Sequence, residues 1–356
     1  MNAILTDRRP RTVVLHQFTG IGDLIWHVQY FKAVAQQSAQ GKVTVIAQPS
    51  TMARAILGHE PWVDAIIDHD HRPRRHDGRK GAHSGLRGMW RMAQSLKAGG
   101  FDRIILFSGR PSRGLLAAMS GIPNRLGYGY HWLQRCFLTQ GPYIPRYKGP
   151  AVAVLKEVSA FAIAHGFCEA PLVPRIDVPE QELALMSARL EGLPPVRIAL
   201  AVGTSEPHKQ WGADRFGTLA RQLTEAGRGV VILGGRAEKA LADSIAAQVS
   251  EAHRHQVHII TDASIMGSAA AIQLSQACIG NDTGMVNVAA AVERPTLVLL
   301  GPRPLLDHDP LLTSLTAPTL SAVTVDMVMS ALAARLQEPS VAEPVRGHNA
   351  TASSTT

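Results

Sequence analysis

Cysteine is scarce in this chain of 356 residues. Cys136, Cys168 and Cys278 are odd in number, far apart and never spaced as CxxC, which argues against a disulfide framework and a thiolate zinc site. A reducing compartment is the expectation. Long apolar runs are missing as well, so no membrane span is expected. The opening MNAILTDRRPRTVVL sets charges directly before a short strand-like run and carries no signal-peptide core, which makes the cytoplasm the expected location. There is no P-loop and no GxSxG elbow, and the 15 histidines form no metal-ligand spacing beyond scatter. Acidic residues are the minority charge: 28 Asp+Glu against 36 Lys+Arg leave a net charge of +8. Such an excess points to an anionic partner: phosphate groups, nucleic acid or an acidic membrane face.

What is present is the composition of a folded chain, 46% hydrophobic and 18% charged, long enough for two domains with a core in each. Short β-branched runs alternate with helical patterns, the signature of βαβ units and parallel sheets. In the first half, strands are expected at Thr12–Phe18, Val43–Ala47, Ala65–Ile67 and Arg103–Phe107, with a helix over Asp23–Ser38. Between about Pro171 and Pro195 the chain becomes proline-punctuated around a short helix at Gln181–Leu190, as a connector between domains would be. A second series follows: strands at Arg197–Val202, Gly229–Leu233, Val257–Ile260, Ala277–Gly280 and Thr296–Leu300, with helices over Asp214–Ala226, Ala237–Ser250, Ser264–Gln276 and Met285–Val292. The domains expected are residues 1–175 and 176–337, with a Ser/Thr/Ala/Pro-rich disordered tail over 338–356.

In open α/β sheets the ligand sits at the carboxyl ends of the strands, and four strand ends here carry glycine with polar or acidic residues. Gly20-Ile-Gly22-Asp23 resembles the opening of a dinucleotide fingerprint, but Ile25 stands where the third glycine belongs. The second strand ends in Gln48, not in an acid for a ribose hydroxyl; both features disfavour a nicotinamide enzyme. Asp23 reads either as a carboxylate stabilised by free N–H groups in the first turn of a helix or as a general base. Asn281-Asp282-Thr283-Gly284 reads as a helix cap or as a pyrophosphate cradle, in which unsatisfied N–H groups, a hydroxyl and a glycine admit an anion closely. Thr204, Ser205 and Lys209 are suited to phosphate oxygens, or are an ordinary surface loop. Glu238, after Gly234-Gly235, could accept from sugar hydroxyls or simply begin a helix. The triplets Asp68-His69-Asp70 and Asp307-His308-Asp309 invite a DxD-type metal reading, disfavoured because nothing else in the chain adds ligands. A stretch from His71 to His83 gathers Arg72, Arg74, Arg75, Arg79 and Lys80 in a loop that is either solvated or anion-binding.

Together, GIGDLIWHVQYF, GTSEPHKQW, GGRAE and CIGNDTGMVNVAAAVERPTLVLLGP resemble glycosyltransferase family 9, the ADP-heptose:lipopolysaccharide heptosyltransferases, from Thr12 to Pro302. The resemblance implies an α/β GT-B fold: two Rossmann-like domains whose parallel sheets face each other across a cleft. It implies inverting, metal-independent transfer from a nucleotide-sugar donor held mainly by the second domain, with no cofactor. The acceptor, inner-core lipopolysaccharide or a related anionic glycolipid or glycan, would bind the first domain at the cytoplasmic face of the inner membrane. Carried over residue by residue, the catalytic aspartate falls on Asp23 and the phosphate-contacting lysine on Lys209. The hydroxyl pair falls on Thr204 and Ser205, the ribose-contacting glutamate on Glu238, and the pyrophosphate cradle on Asp282, Thr283 and Gly284, with Gly22 and Asn287 completing the donor contacts. The basic loop would meet the acceptor. Two departures stand out: Asn287 replaces a family histidine, which bears on donor type or rate, and Gln29 replaces a proline. A rival of another class is a non-catalytic nucleotide-sugar-binding protein. Nucleic acid is not an expected partner, because no aromatic-rich basic strand or recognition motif accompanies the charge.

Overall fold

The computed structural model describes residues 7–71, 78–204 and 206–337. The first lobe runs β1 (Thr12–His16), α1 (Ile21–Gln36), β2 (Val43–Ala47), α2 (Ala53–Leu57), β3 (Val63–Asp68), α3 (Gly85–Ala98), β4 (Arg103–Phe107), α4 (Pro111–Met119), β5 (Asn124–Gly127), α5 (Trp132–Arg135) and α6 (Ala153–Ala164). Its strands form a parallel sheet of order β3-β2-β1-β4-β5. After the connector, the second lobe runs α7 (Glu180–Arg189), β6 (Arg197–Ala201), α8 (Ala213–Glu225), β7 (Gly229–Leu233), α9 (Lys239–Ala246), β8 (Val257–Ile260), α10 (Ile265–Gln273), β9 (Ala277–Asn281), α11 (Gly284–Ala291), β10 (Thr296–Leu299), β11 (Leu312–Leu315) and α12 (Val325–Gln337). Its sheet, also parallel, has the order β11-β10-β9-β6-β7-β8.

Every residue of β1, β2, β7, β9 and β10 is buried, as a parallel sheet covered on both faces requires. The helices supply the cover. In α8, Phe216, Leu219, Ala220 and Leu223 recur at helical spacing and turn one stripe inward. In α10, Ser264 caps the helix start by accepting from the Gly267 amide at 2.8 Å.

Several elements depart from the sequence expectation. The first helix starts at Ile21, not Asp23, which sets Asp23 inside its first turn. The helix expected over Ala237–Ser250 is shortened: the Glu238 carboxylate turns back to accept from the Gly235 amide at 2.7 Å, which fixes a 3-10 turn over Arg236–Glu238 before α9 begins. The short strands β5 and β11, half polar, were not expected from the pattern. The disorder expected for 338–356 lies outside the described residues.

Apolar packing joins the lobes. One core lies between the first sheet and α3 and α4, and another between the second sheet and α8, α9 and α12. A third is continuous from α1, α2 and α6 of the first lobe to α7, α10 and α11 of the second. The connector is tied to both sides: the Arg175 carbonyl accepts from Gln29 Nε2 at 2.8 Å, the Ile176 amide donates to the Ala291 carbonyl at 3.1 Å, and the Arg175 guanidinium pairs with Asp309. Gln29, the residue in place of the family proline, thus fastens the connector to α1.

Candidate active site

Strand order reverses between β1 and β4 in the first sheet and between β6 and β9 in the second. At such points the loops leave in opposite directions and open a crevice at the carboxyl ends of the strands. Asp23 follows β1, Lys209 follows β6, and the 282–284 turn follows β9. The motifs read from the sequence therefore stand where a parallel sheet makes room for a ligand.

The starts of α1 and α11 meet backbone to backbone. A Cβ on Gly284 would lie 2.8 Å from Ile21 Cβ and 3.0 Å from the Gly22 amide nitrogen; one on Gly22 would lie 2.9 Å from Asn287 Nδ2. At Gly284 only glycine permits this approach, while a side chain at Gly22 would displace the Asn287 amide. Beside it, Trp26 Nε1 donates to Asn287 Oδ1 at 2.8 Å, and Asn287 Nδ2 donates to the Thr283 carbonyl at 3.3 Å. Asn287, a residue read from the sequence as a donor contact, thus spends both polar atoms within the protein. The Trp26 ring packs on the second lobe's core and against His308.

Asp23 sits half-buried at this junction. Burial pushes its carboxyl up to about 6; a hydrogen bond from the Gly20 amide and the positive charge of Lys209 from the facing lobe pull the other way. The carboxylate thus takes an amide at the helix start and still holds its proton more tightly than an exposed one. A Cβ on Gly20 would lie 2.7 Å from Asp23 Oδ2, so the glycine is what lets the carboxylate fold back on the Gly20 amide.

Across the junction, Lys209 Nζ pairs with Glu206 and lies 3.9 Å from Asp282 Oδ2. Asp282 in turn takes Arg303 Nε at 2.8 Å. Thr283 occupies the cap position of α11 without a side-chain cap bond, which leaves the first-turn amides for an incoming anion. A cavity of about 300 Å³ opens beside these groups, lined by His208, Lys209, Asp282, Arg303 and Thr319 among others. The loop carrying Lys209 is held from beneath by buried Asn281, which accepts from the Trp211 amide at 3.1 Å and donates to the Val202 carbonyl at 2.8 Å.

The structure thus brings together Asp23, Gly22, Lys209, Asp282, Thr283, Gly284 and Asn287. Thr204 follows β6 ahead of Lys209, and Glu238 follows β7, one strand further along the second sheet's carboxyl edge. The Thr204 hydroxyl accepts from the Glu206 amide at 3.1 Å, and Glu238 lies against Gly203. Ser205 lies outside the described residues, as do Arg72, Arg74 and Arg75. Arg79 and Lys80 are exposed after β3, with Arg79 paired to Asp70. The acids of both DHD triplets are taken by cations: Asp68 by Arg54, Asp70 by Arg79, Asp307 by Lys156 and Asp309 by Arg175. Among the described residues no group of three or more His, Cys, Asp or Glu is placed to hold a metal ion. Sequence reading missed Trp26 and Arg303. Trp26 lies three residues beyond Asp23 on the same helix face, and Arg303 follows the end of β10, so the strand-end rule would have found it.

With this geometry in hand, the likeness to known proteins is informative. The model of "Glycosyltransferase family 9 (heptosyltransferase)" matches residues 89–324. Lipopolysaccharide heptosyltransferase 2 of Salmonella typhimurium is 23% identical over 290 residues, which cover 79% of this chain and 80% of that protein. The structure of E. coli ADP-heptose LPS heptosyltransferase II superposes with a TM-score of 0.72 at 19% identity, covering 92% of this chain and 98% of the other. A glycosyltransferase family 9 protein from Veillonella parvula gives 0.77 at 20% identity, covering 95% and 100%. These superpositions show the GT-B fold.

Proposed function

The chain belongs to glycosyltransferase family 9, and from that premise we propose that it is an inverting, metal-independent glycosyltransferase that moves heptose from ADP-heptose to a lipopolysaccharide-core or related glycan acceptor. In this reading residues 1–175 form the acceptor domain and 176–337 the donor domain. The observation that carries it is the placement of Asp23 opposite Lys209 and the start of α11. An acceptor hydroxyl attacks the anomeric carbon from the face opposite the diphosphate and gives its proton to Asp23. The bond from the anomeric carbon to the diphosphate oxygen breaks, and the nucleoside diphosphate leaves with inversion at the sugar. A carboxylate at about 6 is ionised at neutral pH yet more basic than an exposed one, which suits it to this transfer. Lys209 and the amides of Thr283 and Gly284 meet the negative charge on the leaving group, so the mechanism calls on no metal. Thr204, Ser205 and Glu238 would hold the nucleotide end of the donor.

The test is a thermal-shift panel of nucleoside diphosphates and their sugars, followed by transfer assays. Stabilisation by ADP and ADP-heptose, with UDP and GDP inert, is the expected result; stabilisation by UDP or GDP alone would overturn the donor assignment. A second reading rests on Asn287, which stands at the family histidine position and is engaged with Trp26 and Thr283. If ADP binds but neither transfer nor donor hydrolysis follows, the chain is a non-catalytic nucleotide-sugar-binding protein.

Among the described residues no helix is long and apolar enough to cross a membrane. Contact with the inner-membrane surface is instead supported by α3. Leu86 and Trp90, one turn apart, are 79% and 56% exposed, and the helix carries Arg87, Arg91 and Lys97 with no acid. Each basic residue near an anionic surface contributes about 1 kcal/mol, and an exposed indole suits the headgroup layer. The wild-type protein is expected to co-sediment with phosphatidylglycerol vesicles at low salt and to be released by high salt or by the pair Leu86→Ser and Trp90→Ser. Binding indifferent to both changes would refute this contact.

A further inference from the structure

The crevice at the first lobe's own reversal point holds a charge that no described acid balances. Arg113, in the first turn of α4, is only 6% exposed. Among the described residues no carboxylate pairs with it; one Nη meets the His71 ring, and its Nε has no hydrogen-bond partner. The described groups that contact it are neutral or cationic. His69 is held uncharged by burial and by the positive charge of Arg113, and His71 stacks on it at 4.5 Å between ring centroids. Gln48, from the end of β2, reaches the other side of the His71 ring. Arg110 adds a second positive charge near Arg113. From the ends of β1 and β4, Gln17 and Ser108 hydrogen-bond to each other. Of the described acids on this strand end, Asp70 is turned to Arg79 and the Ala82 amide, and Asp68 to Arg54.

A guanidinium taken out of water without a counter-anion is strongly unfavourable, and proteins keep such a group where a ligand supplies the missing charge. Its planar fork matches two oxygens of a carboxylate or phosphate. We infer that this crevice is an anion subsite in which Arg113, with Arg110 beside it, takes a phosphate or carboxylate group carried by the acceptor. The inference rests on the acceptor binding the first lobe. It differs from the basic loop in resting on a buried side chain at a reversal of strand order and not on an exposed field of charge.

The test reads binding without donor and without turnover, so a chain that transfers no sugar would still report the subsite. Calorimetry compares glycan fragments bearing a phosphate, bearing a carboxylate, or with that group removed, and inorganic phosphate alone, on the wild type, Arg113→Gln and Arg113→Lys. The wild type is expected to prefer one charged fragment over its neutral counterpart by about 10- to 100-fold, the range of a charge-assisted, bidentate contact. Arg113→Gln should abolish that preference and leave ADP affinity unchanged, while Arg113→Lys keeps part of it. Melting supplies the second readout: with an uncompensated buried charge removed, Arg113→Gln should melt no lower than the wild type. A variant that melts several degrees lower and retains the preference would give Arg113 a packing role and overturn the proposal. So would Arg113-dependent binding of inorganic phosphate without any discrimination between fragments.

Discussion

Asp23→Asn is expected to lower kcat by about 100- to 10,000-fold, the usual contribution of a positioned general base, with donor KM little changed. The amide is close in size to the carboxyl but cannot take the acceptor proton. The pH dependence gives the same side chain a second signature. Because the folded carboxyl titrates near 6 and the unfolded one near 3.8, the native state holds a proton through that interval that the unfolded chain has released. This contribution to stability is therefore fully present below the unfolded value, falls as pH rises through the interval, and is gone above it. Catalysis runs the other way, with kcat/KM climbing through about pH 6 as the base ionises. Asp23→Asn should therefore melt at or above the wild-type temperature at neutral pH while losing turnover. Near-normal turnover in that variant would remove Asp23 from the reaction.

Lys209→Met is expected to cost about 100- to 1,000-fold in kcat, the loss seen when one stabiliser of developing negative charge is removed. Its diagnostic feature lies in the pH profile. Lys209 draws the Asp23 carboxyl downward across the junction, so removing the ammonium should move the residual activity's ionisation limb to higher pH. A limb that stays in place would mean that the two groups do not work in one site. Glu206, freed of its partner, adds negative charge near the leaving group and strengthens the loss.

Much of this architecture was legible in the sequence because buried parallel strands leave little ambiguity. Val43–Ala47, Arg103–Phe107, Gly229–Leu233 and Val257–Ile260 are strands to the residue, each short and dominated by apolar side chains. The strand Asn124–Gly127 has no such run and owes its place to pairing with β4. The candidate site was legible to the extent that strand ends hold it. Asp23, Lys209 and the 282–284 turn are each announced by a local motif, and the resemblance joined them into one mechanism. What local pattern does not carry is the partner. Asn287 was marked as a departure, yet its engagement with Trp26 spans 261 residues of chain, and Arg303 declares itself only through Asp282. Arg113 looks in the sequence like any arginine of an amphipathic helix, and its burial becomes visible only once β1 and β4 lie side by side.

The touching helix starts at Gly22 and Gly284 have a mechanical corollary. A side chain at Gly284 would strike the Ile21 Cβ and the Gly22 amide, so the two lobes are in close contact at that point. A motion of one lobe against the other is expected to pivot near it. Asp23 lies one residue from that contact, whereas Glu238 follows β7, one strand further out than the β6 end that carries Lys209. A pivot at that contact is expected to displace the β7 end more than the Asp23 end.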